Sequence, residues 1–279
     1  MSEDRTHRVV STDGTEIAGR VHGEGPALVL IHGGLSDGEQ AWGPLLSFLE
    51  ARFTCYLIST RGRGLSAEPV GGDYSLERLV EDIVSFVDGI GQPVGLFGHS
   101  LGGALALGAA ANSAAVSAVA VYEPAVFEAP SKVNPSAEAK AARIGDAVAE
   151  GRLADAARAM VEGAVTDDEM EALSRAEFFG SWATNVRVAL QEARQAGASQ
   201  RPTPTDPSAL TRVDVPVLYL YGSRTPTTWY AEGARHVAGH VANLRQVEVV
   251  GAAHLAPHLA PEPIADELIR FFEAVPEPA

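Results

Sequence analysis

Cysteine is nearly absent from this chain: Cys55 is the only one in 279 residues, so no intrachain disulfide can form. Its setting, the apolar run 53–58, suits a small buried hydrophobe. Long apolar runs are missing too. No window approaches the roughly 18 consecutive apolar residues of a membrane span, and residues 1–7 lack the apolar stretch of a signal peptide. The expectation is a cytoplasmic protein with no membrane partner. Positive charge is scarce, with 21 Lys and Arg against 36 Asp and Glu and a net charge of −15. Nucleic acid and anionic membrane surfaces would be repelled and are excluded as main partners. No G-x-G-x-x-G follows a strand, no Walker loop occurs, and no metal-ligand cluster stands out, so neither an organic cofactor nor a metal is expected. No internal repeat breaks the pattern.

What is present is core-forming material. Hydrophobic residues make up 46% and charged residues 20%, a balance that excludes disorder and suits one large α/β domain. Residues 6–10 and 16–21 read as a hairpin around Asp13-Gly14. Apolar runs at 27–31, 53–58, 93–97, 116–122, 215–221 and 244–250 read as buried strands, separated by helical stretches. A final amphipathic helix covers about 263–274. The alternation predicts a parallel sheet with helices on its faces. It lapses between residues 127 and 206, where Ile144, Val148, Leu153, Ala157 and Met160 recur at helical spacing. Pro130 and Pro135 mark the entrance to this stretch; Pro202, Pro204 and Pro207 mark its exit. The division expected is a core of 1–126 and 206–279 with a helical cap, 127–205. A separate helical domain is the other reading.

Gly98-His99-Ser100-Leu101-Gly102 fits G-x-S-x-G, with an apolar strand before it and an Ala/Leu-rich helix after it. Such a turn holds a serine in a strained conformation that only small neighbours tolerate. It lifts the hydroxyl clear of the sheet at a helix N-terminus, where the dipole favours negative charge. Ser100 is therefore the candidate nucleophile, and the Leu101 N–H points toward a developing oxyanion. His32-Gly33-Gly34-Leu35 follows the first long core strand, and glycine there lets the backbone approach a ligand. Gly34 N–H is the candidate second oxyanion donor; a plain glycine-rich turn is the alternative.

The ordered set of His-Gly-Gly, Arg61-Gly-Arg-Gly-Leu-Ser66, Gly-His-Ser-Leu-Gly, Val-Leu-Tyr-Leu-Tyr-Gly and a late histidine resembles the α/β-hydrolase superfamily. The resemblance spans the core almost end to end, the cap excepted. It implies a mostly parallel eight-stranded α/β-hydrolase sheet with helices on both faces, a helical lid and a Ser–acid–His triad. His254, in Gly251-Ala-Ala-His-Leu-Ala, resembles the family's catalytic-histidine loop. His258 follows four residues later as a possible metal partner, though Pro257 disfavours a regular helix and a surface or lid-contacting role fits better. The departure lies in the acid. Where relatives carry Gly-x-x-Asp, this chain reads Gly222-Ser-Arg-Thr225. Glu123, after the 116–122 strand, resembles a glutamate used at that place by some family members, zearalenone lactonases among them. Strand ends of such a sheet converge on one edge, so its carboxylate can approach His254. A structural or substrate-facing glutamate is the alternative, with Asp206 and Asp214 as further candidates, both before their strand.

The implied activity is hydrolysis of an ester or lactone of a small, largely apolar molecule through a Ser100 acyl-enzyme with His254 as base. Cofactor-free C–C cleavage, cyclisation or perhydrolysis on the same scaffold remains open, as does a silent ligand-binding protein. Leu35, His99, Phe178 and Trp182 are candidate substrate contacts, the last two from an apolar cap.

Overall fold

The computed structural model describes residues 5–129 and 137–275. Pro130 and Pro135, the expected cap entrance, lie outside the described residues, as do residues 1–4 of the polar start. Eight strands form one sheet: β1 (Thr6–Val10), β2 (Glu16–His22), β3 (Ala27–Ile31), β4 (Thr54–Ile58), β5 (Val94–His99), β6 (Val116–Tyr122), β7 (Val217–Gly222) and β8 (Leu244–Val249). Their spatial order is β1-β2-β4-β3-β5-β6-β7-β8. The β1–β2 and β2–β4 pairs are antiparallel and every other pair is parallel.

Each core strand splits its apolar residues between two layers, as a period of two requires. Val29 and Ile31 of β3 join one cluster with Leu79, Ile83 and Phe86, while Leu28 and Leu30 join the other with Leu45 and Leu268. The first layer is built by α2 (Leu76–Asp88), α3 (Leu101–Ala110) and α10 (Trp229–Ala238), and the second by α1 (Gly43–Leu49) and α12 (Glu262–Glu273). The helix α3 is almost wholly buried, and its Gly and Ala content lets it lie close against the sheet. Both faces of the sheet are therefore covered.

Between β6 and β7 come α4 (Ala137–Ala149), α5 (Leu153–Val161), α6 (Asp167–Arg175), α7 (Phe178–Trp182) and α8 (Val186–Ala198), followed by the single turn α9 (Pro207–Leu210). These cap helices share a third apolar cluster, in which Ala156, Leu173, Phe179, Trp182 and Val186 meet Leu255 of the core. The short α11 (Ala256–Leu259) completes the set. No helix among the described residues is long and apolar enough to cross a membrane.

Two edges differ from the sequence reading for a physical reason. The strands β5 and β7 begin at Val94 and Val217, after Pro93 and Pro216, because proline has no N–H to give to a ladder. The Ala/Leu-rich helix after Ser100 starts at once, at Leu101.

Candidate active site

The carboxyl ends of β3, β5, β6, β7 and β8 lie side by side, where an open α/β sheet reverses its strand order and forms a crevice. Ser100 sits between β5 and α3 with φ 54° and ψ −119°. The tightness of this turn explains both glycines of the motif. A Cβ on Gly98 would lie 2.2 Å from the Gly102 carbonyl oxygen, and one on Gly102 would lie 2.1 Å from that of Ile31. The elbow is tied to β6 on both sides: Ser100 N–H donates to Tyr122 O at 3.1 Å and Ala125 N–H donates to Ser100 O at 2.9 Å.

Glu123 is fully buried and adopts φ 44°, a left-handed conformation unusual for a glutamate. Its N–H donates to Leu220 O at 2.9 Å, which anchors the turn to β7. One carboxylate oxygen, Oε2, accepts from His254 Nδ1 at 2.7 Å. The other, Oε1, accepts from Gly222 N–H at 2.9 Å and from Thr225 Oγ1 at 2.5 Å. Asp206 instead caps α9 through Ser208 N–H at 2.8 Å, and is remote from this network in its bonding. Asp214 enters none of these bonds.

The histidine loop is fixed carbonyl by carbonyl. Ala252 O accepts from Arg224 N–H at 2.9 Å, Ala253 O from Tyr122 Oη at 2.6 Å, and His254 O from His99 Nε2 at 2.9 Å. Leu255 N–H donates to Glu169 Oε1 of the cap at 2.7 Å. Because a carbonyl can only accept, Nε2 of His99 carries its proton, and burial pushes that ring well below the usual histidine range. His99 thus braces the loop from behind.

His254 Nε2 meets the hydroxyl of Tyr230 at 3.3 Å, and the two rings stack 4.8 Å apart at 12°. Among the described residues Ser100 Oγ has no hydrogen-bond partner, so Nε2 and Oγ are not joined here. A contact of this kind often tightens only when substrate is bound.

Gly34 and Leu101 are neighbours: a Cβ on Gly34 would lie 3.9 Å from Leu101 Cδ2. Leu101 opens a helix, where the N–H has no partner within the helix. The Gly34 loop is pinned from the cap side. Arg63 Nη2 donates to Gly34 O at 2.6 Å, and Asn185 Nδ2 donates to Leu35 O at 3.2 Å. Arg63 is itself held by Glu192 of α8 in a two-pronged ion pair of 2.6 and 2.8 Å.

These groups border a cavity of about 340 Å³ beneath the cap, lined by Ser100, His254, Gly34, Leu101, Leu35 and Trp182, with His99 and Tyr230 also on its wall. Phe178 is not among the described residues lining it; its ring packs against Trp182 at 5.6 Å and His258 at 6.3 Å. His258 lies under the lid, buried rather than on the surface, stacked on Trp42 at 6.3 Å. Burial lowers its pKa to about 4. The turn around it accommodates Pro257 because a first-turn proline loses no helix bond. Tyr230 and Glu192 carried no motif that singled them out, and Arg63 stood within the Arg61–Ser66 motif without a role assigned to it. Only the wider segment following Tyr221, where the aspartate is missing, gave a reason to look near Tyr230.

A model of the alpha/beta hydrolase family matches residues 28–267. An alpha/beta hydrolase from Sphaerobacter thermophilus is 30% identical, with 95% of this chain and 99% of that one covered, at a TM-score of 0.76. The enol-lactonase from Burkholderia xenovorans is 24% identical over 95% of this chain and 99% of that one, at a TM-score of 0.71, a likeness of fold alone. N-formylmaleamate deformylase from Pseudomonas putida is 34% identical over 91 residues, 32% of this chain and 34% of that protein. The chain spans 26–34% of the length of the first curated relatives it matches.

Proposed function

This chain belongs to the alpha/beta hydrolase family, and from that premise we propose that it hydrolyses an ester or lactone bond of a small, apolar, uncharged molecule, with Ser100 as nucleophile. The observation that carries the reading is the 2.7 Å bond from His254 Nδ1 to Glu123 Oε2, beside a serine held at φ 54° on the same cavity. A carboxylate at Nδ1 fixes the imidazole tautomer, leaves Nε2 as the base, and stabilises the imidazolium formed when Ser100 gives up its proton.

In the proposed reaction Nε2 takes the Ser100 proton as Oγ attacks the acyl carbon, and the Gly34 and Leu101 N–H groups receive the oxyanion. The imidazolium returns the proton to the leaving oxygen. Water then repeats the sequence on the acyl-enzyme. The proposed chemistry uses the chain's own side chains and backbone N–H groups, so activity should survive EDTA and dialysis.

The wall chemistry supports the substrate class. Among the described residues of its lining, the one carboxylate, Glu192, is neutralised by Arg63, and there is no Lys or Arg to receive an anionic substrate. Residues 127–205 then act as a cap that selects the acyl group.

A fluorophosphonate should form a single adduct on Ser100, and Ser100→Ala should lose labelling together with p-nitrophenyl ester hydrolysis. Loss of such a serine costs on the order of 10⁶ in kcat. An adduct elsewhere refutes the assignment. The absence of a Ser100 Oγ–Nε2 hydrogen bond among the described residues favours one second reading, cofactor-free non-hydrolytic chemistry. It would be supported if Ser100 labels while ester and lactone panels stay inert.

A further inference from the structure

We propose that the Tyr230 hydroxyl is a further catalytic group, relaying the proton between His254 Nε2 and the leaving-group oxygen. This rests on the reading of Ser100 and His254 as nucleophile and base.

The hydrogen-bond network assigns the protons. Glu123, an acceptor, takes the proton on Nδ1 of His254, so Nε2 presents a lone pair. Among the described residues the only side chain bonded to that lone pair is Tyr230, whose Oη is 3.3 Å away. Burial raises the phenol well above its ordinary range, so it stays protonated and donates. At rest, then, the base is occupied by Tyr230 and not by Ser100. For Ser100 to use Nε2, the tyrosine proton must turn elsewhere, and the leaving-group oxygen of a bound ester in the shared cavity is an acceptor that can receive it.

Tyr230 is also held firmly. Its ring stacks on the imidazole at 4.8 Å, and its carbonyl accepts from Tyr219 Oη at 2.8 Å. It lies in the first turn of α10, whose own Gly233 comes close to Tyr219, since a Cβ there would lie 2.8 Å from Tyr219 Oη. The backbone is thus placed while the hydroxyl remains free to rotate about its C–O bond.

The step balances. Ser100 Oγ passes its proton to Nε2 and forms a bond to the acyl carbon. As the tetrahedral intermediate collapses, the bond from that carbon to the leaving oxygen breaks. The Nε2 proton moves to Tyr230 Oη while the Oη proton moves to the leaving oxygen, giving an alcohol. Tyr230 and His254 return to their starting states. The transfers are concerted, so no phenolate accumulates.

Leaving-group dependence is the test. A p-nitrophenolate departs without needing a proton; an alkoxide does not. Tyr230→Phe keeps the stacked ring and should lower kcat/KM for ethyl and butyl esters by about 10²-fold, the scale of one proton-transfer group, while p-nitrophenyl esters of the same acid change little. Fluorophosphonate labelling of Ser100 should persist in the variant. Equal losses on both ester series would make Tyr230 a packing residue and overturn the proposal, as would no loss on either. A wild type that fails to label at Ser100 removes the reading beneath it and the proposal together. Should the Phe variant not fold, 3-fluorotyrosine at position 230 changes only the hydroxyl acidity. It must then alter alkyl-ester rates and spare p-nitrophenyl rates, or the proposal fails.

Discussion

Thr225 Oγ1 donates to Oε1 of Glu123 at 2.5 Å, while the other oxygen of that carboxylate takes the Nδ1 proton of His254 at 2.7 Å. Thr225, where the family resemblance led to the expectation of an aspartate, therefore touches the group that meets the histidine. The two positions converge on one point in space although 102 residues separate them in the chain.

Glu123→Gln preserves the shape and removes the charge. Its kcat should fall on the order of 10⁴-fold, as when the triad carboxylate of a serine protease becomes an amide. Thr225→Ala removes one of three donors to the carboxylate and should cost far less. Because the positions adjoin, Glu123→Ala combined with Thr225→Asp should recover part of the lost rate. Steady-state kinetics on one ester settle the order. Near-wild-type kcat in Glu123→Gln would refute the assignment.

Three buried histidines should make the fold sensitive to acid. Desolvation is the first cause in each: His32 is lowered to about 3, His258 to about 4, and His99 well below 6.5. A lowered histidine pKa means that the unfolded chain binds protons which the folded chain refuses. Their contribution is full above about pH 6.5 and is lost as pH falls toward the folded values. For His258 alone the shift corresponds to about 3 kcal/mol at pH 4. Asp82 and Glu169, raised by burial, act in the opposite direction, so a difference measurement is needed. The fall in melting temperature between pH 7 and pH 5 should be smaller in His258→Gln than in wild type. An unchanged slope would mean that His258 is not held neutral.

The Arg63–Glu192 pair joins the cap to the loop at Gly34, and both side chains are buried. Glu192→Gln leaves an uncompensated buried guanidinium, which costs about 3–5 kcal/mol. The partner sits on α8, so the cost should fall on cap docking before it reaches the sheet. Hydrogen exchange should rise across residues 186–198, with strand amides of β3 and β5 little changed. Because Arg63 also holds Gly34 O, kcat should decline with it. Uniform exchange across the chain would show that the pair belongs to the global core.

Trp182 and Phe178 should separate in their effects. Trp182 is on the cavity wall and Phe178 is behind it. Trp182→Ala enlarges the cavity, so relative kcat/KM should shift toward esters of longer acyl chains. Phe178→Ala should change stability more than selectivity. Equal profiles for the two variants would place both in the cap core.

The sequence determined what local chemistry can encode. Continuous apolar runs announced strands covered on both faces, Gly98 and Gly102 announced a turn too tight for any Cβ, and helical spacing announced the cap. The histidine loop was legible because small residues flank His254 after the last strand. Long-range partnerships were not legible. Glu123 stood out only as a carboxylate at a strand end; its left-handed backbone and its bond to His254 depend on β6 and β8 lying two strands apart with β7 between them. Tyr230 has no motif, since a tyrosine in the first turn of a helix looks like core until α10 is folded against the histidine loop. Phe178 and Trp182 are equivalent as apolar residues four apart, and only the tertiary packing of the helices over the crevice puts Trp182 on the cavity lining. Periodicity and turn chemistry act over a few residues and can be read in order along the chain. Which groups share a proton is set by the sheet order, which brings residues 100, 123, 230 and 254 to one crevice.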